Sequence, residues 1–172
     1  MLWRGALLAA LIALQPAATR AADPVGMAQT VFLWAEGEPV DAEKRVLFPR
    51  TPVTVRERVS TYVGGGLHIE FLDKTEIRLG SGASVVLDEY VYDGQPGSGR
   101  MVATVGRGIA RFVTGDMNQK AVLVRTPMAT MGVRGTDFSV WVEASGRTTI
   151  WVNRGSIDVT PTDGGGTALV VE

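Results

Sequence analysis

The sequence predicts an all-β domain, and three observations support this prediction. Beyond residue 22, no window of about 15 residues shows sustained apolar periodicity at 3.6 residues, so no amphipathic helix is expected. Short runs rich in β-branched residues recur instead, separated by glycine, aspartate or serine turns. The chain of 172 residues contains 21 glycines and no cysteine, which fits a turn-rich core that needs no disulfides.

The first 21 residues have the pattern of a secretory signal peptide. Arg4 supplies a basic start, residues 5–14 are apolar, and small residues predominate in 18–22. About ten apolar residues fall well short of the ~20 needed to span a bilayer, so cleavage after Ala21 is favoured over a retained anchor. The sequence therefore predicts export to the periplasm, with a retained anchor as the alternative.

Residues 22–30 are predicted to be a flexible lead, because Pro24 and Gly26 lie there. Residues 31–172 then form a single all-β domain, long enough to bury a sizeable core. Cleavage after Ala21 lowers the Lys and Arg count from 17 to 15 against 18 Asp and Glu, so the net charge moves from −1 to −3. This charge gives no electrostatic support for a nucleic-acid partner.

The strands are predicted from short apolar or alternating runs bounded by turn residues. In chain order they are 31–35, 45–48, 53–57, 67–72, 76–79, 84–87, 101–105, 109–113, 121–125, 136–142, 148–152, 156–160 and 167–171. The predicted turns are 64–66, 73–74, 80–82, 93–99, 115–116, 145–146 and 163–166.

The stretch 124–140 carries the most specific local pattern. Pro127 ends one extended segment, since proline fixes its own φ and restrains the residue before it. Gly132 and Gly135 then indicate a tight reversal. From residue 136 apolar and other side chains alternate, as expected of a half-buried strand. The local prediction is strand, glycine corner, strand.

A weak internal repeat favours regular layers of strands. Residues 101–108 and 148–155 both read as a strand ending in Arg-Gly, and a second strand follows each of them. Two loose copies favour a β-solenoid-like or stacked, sandwich-like arrangement over an irregular barrel.

Ten positions near this corner form a recognisable series. They are Thr126, Pro127, Ala129, Thr130, Gly132, Val133, Arg134, Gly135, Thr136 and Phe138. This series resembles the signature of the FecR-domain family, bacterial envelope proteins of which the best known relay iron-siderophore signals. Similar runs at 67–80, 87–93 and 108–115 extend the resemblance over about residues 55–160. The resemblance implies a β-solenoid-like envelope domain, and Lys74 departs from it where the family usually has glycine.

The residues that could carry chemistry do not form a catalytic pattern. His68 is the only histidine and is interpreted as a surface or cross-strand residue, and with no cysteine a zinc site is disfavoured. The acidic clusters at 36–43 and 88–93 lie among turn residues, where carboxylates usually cap or solvate loops, although a weak calcium site or catalysis is the alternative. We therefore expect no enzyme, no cofactor and no metal.

Three residues are candidates for an interaction surface: Arg134, Trp141 and Trp151. Each tryptophan is out of step with the valines beside it, so it either faces solvent as a binding residue or fills a core that covers both strand faces. Arg134 either projects to bind a carboxylate or phosphate, or stabilises the corner by capping carbonyls or pairing with Asp137.

The resemblance implies a non-enzymatic periplasmic sensor or adaptor in envelope signal transduction. In the best-known members a transmembrane helix links this domain to a cytoplasmic segment that controls a sigma factor. Here the only hydrophobic run is N-terminal, so we expect no direct sigma-factor binding and a membrane-embedded sensor or outer-membrane receptor as partner. The alternative is an envelope structural or glycan-binding module, which exposed, clustered tryptophans would favour; a long uncovered strand edge would favour β-augmentation.

Overall fold

The computed structural model describes residues 23–118, 120–162 and 168–171 of the chain, and within them the fold consists of strands without helices. The strands are β1 (Pro24–Phe32), β2 (Ala35–Glu38), β3 (Arg45–Val46), β4 (Pro52–Thr54), β5 (Arg58–Thr61), β6 (Gly66–Phe71), β7 (Glu76–Leu79), β8 (Ser84–Val91), β9 (Arg100–Val113), β10 (Val122–Arg125), β11 (Ala129–Val142), β12 (Thr148–Pro161) and β13 (Ala168–Val171). The predicted all-β class is confirmed. The predicted signal peptide and the turn at 163–166 lie outside the described residues.

All these strands belong to one sheet. Its main path runs β13-β12-β11-β10-β9-β7-β6-β1-β4, and β8, β5, β2 and β3 extend it from β9 as a branch. Most pairs are antiparallel, but β10 runs parallel to β9 and β13 parallel to β12. The residues described here include no helix with the length and apolar character needed to cross a bilayer.

β1 begins inside the segment 22–30, so the expectation of a flexible lead does not hold from Pro24 onward. Proline is tolerated as the first residue of a strand, and β1 pairs with both β4 and β6. Gly26 lets the backbone approach its neighbour closely, because a Cβ there would lie 2.9 Å from Phe71 Cδ1. Pro24 and Gly26, which suggested a flexible segment, therefore belong to a packed strand.

Three strands of 14 residues each, β9, β11 and β12, organise the sheet. The sequence predicted two short strands in place of β9 and of β12, and a tight reversal at Gly132–Gly135 in β11. The structure instead has continuous strands that bend, since the register of β11 with β12 shifts between Arg134 and Phe138. Gly108, Gly135 and Gly155 adopt φ of 76°, 61° and 90°, which glycine reaches without steric cost.

The bends make the sheet curl around its core, because each half of a long strand meets different neighbours. The first half of β11 pairs with β10 and the end of β12, while its second half pairs with β9 and the start of β12. The two Arg-Gly pairs that mark the weak sequence repeat lie at the bends of β9 and β12. The finer description, solenoid-like or stacked layers, stays a prediction.

The core is apolar and continuous along the inside of the curl. Phe112 and Phe138 lie fully buried and stacked, with ring centroids 5.1 Å apart, and Ile69, Ile77 and Ile150 surround them. Burying a side chain of this size contributes about 1.5–3 kcal/mol. This packing holds β6, β7, β9, β11 and β12 in one register and so fixes which side chains face outward.

The turn between β6 and β7 explains the departure at Lys74. This lysine has φ of 64°, the left-handed conformation that glycine adopts easily, so the turn keeps a glycine-type backbone. Asp73 is buried beneath it and accepts hydrogen bonds from Thr75 Oγ1 at 2.5 Å and Tyr90 Oη at 2.9 Å. Burial, with the hydrogen bond to Asp73, raises the pKa of Tyr90, which keeps it a neutral donor.

Candidate functional site

The predicted signature residues form the corner between β10 and β11, and most of them are structural. Thr126 Oγ1 accepts hydrogen bonds from the Ala129 N–H at 3.1 Å and from the Thr148 hydroxyl at 3.0 Å. Thr126 and Ala129 are buried there, as are Val133, Thr136 and Phe138 farther along β11. Pro127 and Arg134 are exposed, while Thr130, Gly132 and Gly135 are partly exposed.

Arg134 forms an ion pair with Asp158 across β11 and β12, with Nη2 and Oδ2 2.5 Å apart. The suggested partner Asp137 is bound by Arg111 instead. Arg134 lines a shallow depression of about 900 Å³ together with Lys120 and Arg154. It belongs to the first half of β11, whereas Trp141 belongs to the second, so the structure separates these two candidate residues along the bent strand.

Trp141 and Trp151 lie together on the outer face of the sheet. Strand alternation places both opposite to the buried Val140 and Ile150, and Trp141 is 43% exposed while Trp151 is half-buried. Their rings are stacked, with centroids 6.4 Å apart and planes inclined by 17°. The open question of core or surface is therefore answered, because both tryptophans face outward. We call this pair the tryptophan platform.

A polar cluster lies beside the tryptophan platform on the same outer face. In the register, Ser139 lies opposite both Trp151 and Arg111. Arg111 donates two hydrogen bonds to Asp137, from Nε at 2.8 Å and from Nη2 at 2.6 Å, and Asn153 Nδ2 donates a third at 3.2 Å. The bonds from Arg111 lower the pKa of Asp137, so its carboxylate stays charged at neutral pH.

Ile109 completes this outer surface next to Trp141. It is 42% exposed and lies opposite Trp141 in the β9–β11 pairing. Sequence reasoning missed Ile109, Arg111 and Asn153 as site residues. For Ile109 and Arg111 a signal was present, since both alternate with the buried Ala110 and Phe112 in the way that Trp141 alternates with its valines. What the sequence did not show was the register that brings β9 beside β11.

The other candidate residues do not converge on a catalytic centre. His68 Nε2 lies 3.2 Å from Glu76 Oε2 on the outer face of β6. Asp88 accepts a hydrogen bond from Thr104, Glu89 pairs with Arg100, and Asp93 accepts one from the Gln95 N–H within its own turn. Among the described residues, no group of three or more His, Cys, Asp or Glu is arranged to hold a metal ion.

The arrangement on this outer face has the features of a binding surface. A flat aromatic pair flanked by an ion pair can stack against a sugar ring or an apolar partner side chain and supply polar contacts at its edge. Ser139 lies opposite Trp151 in the β11–β12 pairing and two residues from Trp141 on the same strand. Recognition is the chemistry that this surface supports.

Comparison with known proteins gives one match. The model of the family described as FecR protein matches residues 57–158, which is more than half of the chain and includes the corner, the tryptophan platform and the polar cluster. No curated protein and no solved structure matches. With the signature corner in place inside the matched region, this chain belongs to the FecR family.

Proposed function

We propose that this chain is a non-enzymatic sensor or adaptor that acts in the periplasm and passes a signal through a membrane-embedded sensor or an outer-membrane receptor. FecR domains are generally associated with envelope signal transduction and with membrane partners of this kind. The family match over residues 57–158 is the observation that carries the proposal.

The tryptophan platform supplies the surface that such an adaptor needs. Interfaces between proteins are enriched in tryptophan and arginine, and their most sensitive positions are aromatic residues ringed by polar contacts. Trp141, Trp151 and Arg111 provide this combination on a rigid part of the sheet whose inner side is the Phe112–Phe138 core. We therefore assign partner binding to this face rather than to Arg134, which is engaged with Asp158.

The export step is part of the same proposal. The expected cleavage after Ala21 leaves one residue, Ala22, before the described fold begins at Asp23. Fractionation of cells followed by mass measurement of the intact chain tests this step. A chain that starts at Ala22 in the periplasmic fraction supports it, whereas a full-length chain in the cytoplasmic fraction contradicts it.

Site-specific photocrosslinking in living cells tests the partner. A photoreactive residue at Ser139, beside the tryptophan platform, is expected to crosslink one inner- or outer-membrane protein. The matched control is the same probe at Val91, which is 57% exposed on β8 away from the platform. The crosslink should disappear when Trp141→Ala is added. A probe at Ser139 that yields no protein adduct, or the same adducts as Val91, would overturn the proposed surface.

Glycan binding is a second candidate, and the tryptophan platform beside the Asp137 cluster favours it. Exposed aromatic rings next to hydrogen-bonding side chains are suited to stack and orient sugars. The two candidates are separated by adding envelope glycan fragments to the purified chain and following its intrinsic tryptophan fluorescence. Saturable binding that is lost in Trp151→Ala and kept in Trp34→Ala, with no protein adduct at Ser139, would establish the glycan-binding module instead.

A further inference from the structure

Five large hydrophobic side chains lie exposed together at one end of the molecule, at the end of β1 and in the β1–β2 and β5–β6 connections. They are Phe32, Leu33, Trp34, Tyr62 and Val63, exposed by 62, 70, 45, 51 and 90%. Single exposed hydrophobic residues are ordinary, but a contiguous group marks an interaction surface. We call this group the apolar tip.

The two connections form one surface. The Tyr62 N–H donates to the Trp34 carbonyl at 3.2 Å, and the two rings meet edge to face with centroids 6.2 Å apart. A Cβ on Gly64 would lie 3.3 Å from Leu33 Cδ1, so the apices of both connections touch. Leu33 and Gly64 adopt φ of 56° and 80°, and these tight turns direct Leu33 and Val63 outward.

The polar atoms of the apolar tip are held at its base. Trp34 Nε1 and the Tyr62 hydroxyl both donate to Glu36 Oε1, at 3.3 and 3.1 Å, and Lys44 forms an ion pair with Glu36. The hydrogen bond from Lys44 lowers the pKa of Glu36, so this acceptor stays ionised at neutral pH. The two most exposed side chains of the tip are aliphatic, Val63 and Leu33, while Trp34 and Tyr62 are the least exposed and have their polar atoms bound to Glu36.

A basic residue, Arg107, shares a depression with Gly82, which is hydrogen-bonded to the apolar tip. The Gly82 N–H donates to the Tyr62 carbonyl at 3.0 Å, and Gly82 lines a depression of about 470 Å³ together with Arg107. Arg107 is exposed, and none of the ion pairs formed among the described residues includes it. A guanidinium beside an apolar projection complements a surface of phosphate groups over an apolar layer.

We propose that the apolar tip docks on a phospholipid membrane, with Leu33 and Val63 in the upper acyl region, Trp34 and Tyr62 at headgroup level and Arg107 facing lipid phosphates. The layering of aliphatic, aromatic and basic groups follows the polarity profile of a bilayer interface. The most sensitive positions of protein–protein interfaces are enriched in Trp, Tyr and Arg and depleted in Leu and Val, whereas the most exposed residues here are Leu33 and Val63. This inference rests on no signalling partner, and the depression that contains Arg107 also contains Trp141 of the tryptophan platform.

Vesicle co-sedimentation of the purified chain tests the proposal. Vesicles of phosphatidylethanolamine and phosphatidylglycerol are expected to bind the wild-type chain. Leu33→Asn and Val63→Asp should each reduce vesicle binding by about tenfold, since each removes an aliphatic side chain that would become buried in the lipid on binding. Asparagine suits position 33 because it tolerates positive φ. Arg107→Gln should weaken binding to these vesicles more than to net-neutral phosphatidylcholine vesicles.

Leu72→Asp is the matched control, because Leu72 is 62% exposed in the turn at the opposite end of β6. The control and the tip variants carry the same N-terminal residues. A difference in vesicle binding between them is therefore caused by the substitutions in the tip. Equal binding by wild type, Val63→Asp and Leu72→Asp would overturn the proposal. Light scattering that shows a dimer dispersed by Val63→Asp, without vesicle binding by the wild type, would assign the tip to a second copy of the chain.

Discussion

The two faces of the β11–β12 hairpin differ sharply although they are built from neighbouring residues. The inward face carries Phe138, Val140 and Ile150, all fully buried, and the outward face carries Trp141, Trp151 and Ser139. The signature series that points to the family ends at Phe138 and describes the corner and the inward face. Family membership is therefore encoded in conformation, while the recognition that we propose involves outward residues beyond that series.

Truncation of the inward face should have the largest effect. Phe138→Ala removes a ring that stacks on Phe112 and is expected to lower the free energy of unfolding by about 3–5 kcal/mol, since the rigid curl cannot close the cavity. Urea unfolding followed by circular dichroism measures this change. A loss below about 1 kcal/mol would mean that the inward face is not the structural half of the hairpin.

Removal of the Thr126 hydroxyl at the corner should have the second-largest effect on the free energy of unfolding. Thr126→Val keeps the shape of the side chain but leaves the buried Ala129 N–H without its 3.1 Å acceptor, which costs about 1–3 kcal/mol. The same unfolding experiment applies, with Thr160→Val as control because Thr160 is exposed near the end of β12. If both variants lose equal stability, the corner hydrogen bonds do not distinguish the signature from ordinary strand threonines.

The outward polar cluster around Asp137 should contribute less to the free energy of unfolding, and its contribution should depend on pH. The pKa of Asp137 is lowered in the folded protein, chiefly by hydrogen bonds from Arg111, so its stabilisation is present above the unfolded value of about 4 and is lost as pH falls through the folded value. Because Arg111 is 45% exposed, Asp137→Asn should cost only about 0.5–1 kcal/mol at pH 7.

Unfolding measured between about pH 7 and pH 3 tests this expectation, since the window spans the ordinary pKa of aspartate. The wild type and Asp137→Asn should differ at neutral pH and converge in acid, where the wild-type carboxylate is protonated. A constant difference across the whole range would show that Asp137 acts by packing and not by charge.

The sequence predicted local features well because they depend on neighbouring residues. β7 was predicted with the bounds that the structure has, and the departure of the tryptophans from their neighbouring valines marked them as candidates while leaving surface and core both open. The continuity of β9 and β12 was missed because glycine was interpreted as a break, whereas Gly108 and Gly155 allow a bend within a paired strand. The strand Arg58–Thr61 was missed too, since the predicted strand 53–57 ended before it and no strand was assigned to these residues.

The candidate site was only half predictable for a different reason. Its tryptophans lie on one hairpin, so alternation alone brings them to one face. Arg111 reaches Asp137 through the pairing of β9 with β11, strands that are separated in the chain by β10. Such a register depends on the curl of the whole sheet and on the buried Phe112–Phe138 contact, which no local pattern specifies.

The smallest effect on stability is expected on the tryptophan platform itself. Trp141→Ala removes an outward side chain that is 43% exposed and should lower the free energy of unfolding by only about 0.5–1 kcal/mol, mainly through the lost stacking on Trp151. Urea unfolding beside Phe138→Ala, three residues away on the same strand, makes the comparison direct. A loss as large as that of Phe138→Ala would place Trp141 in the core, whereas a small loss leaves an intact fold in which any change in partner or glycan binding belongs to the surface.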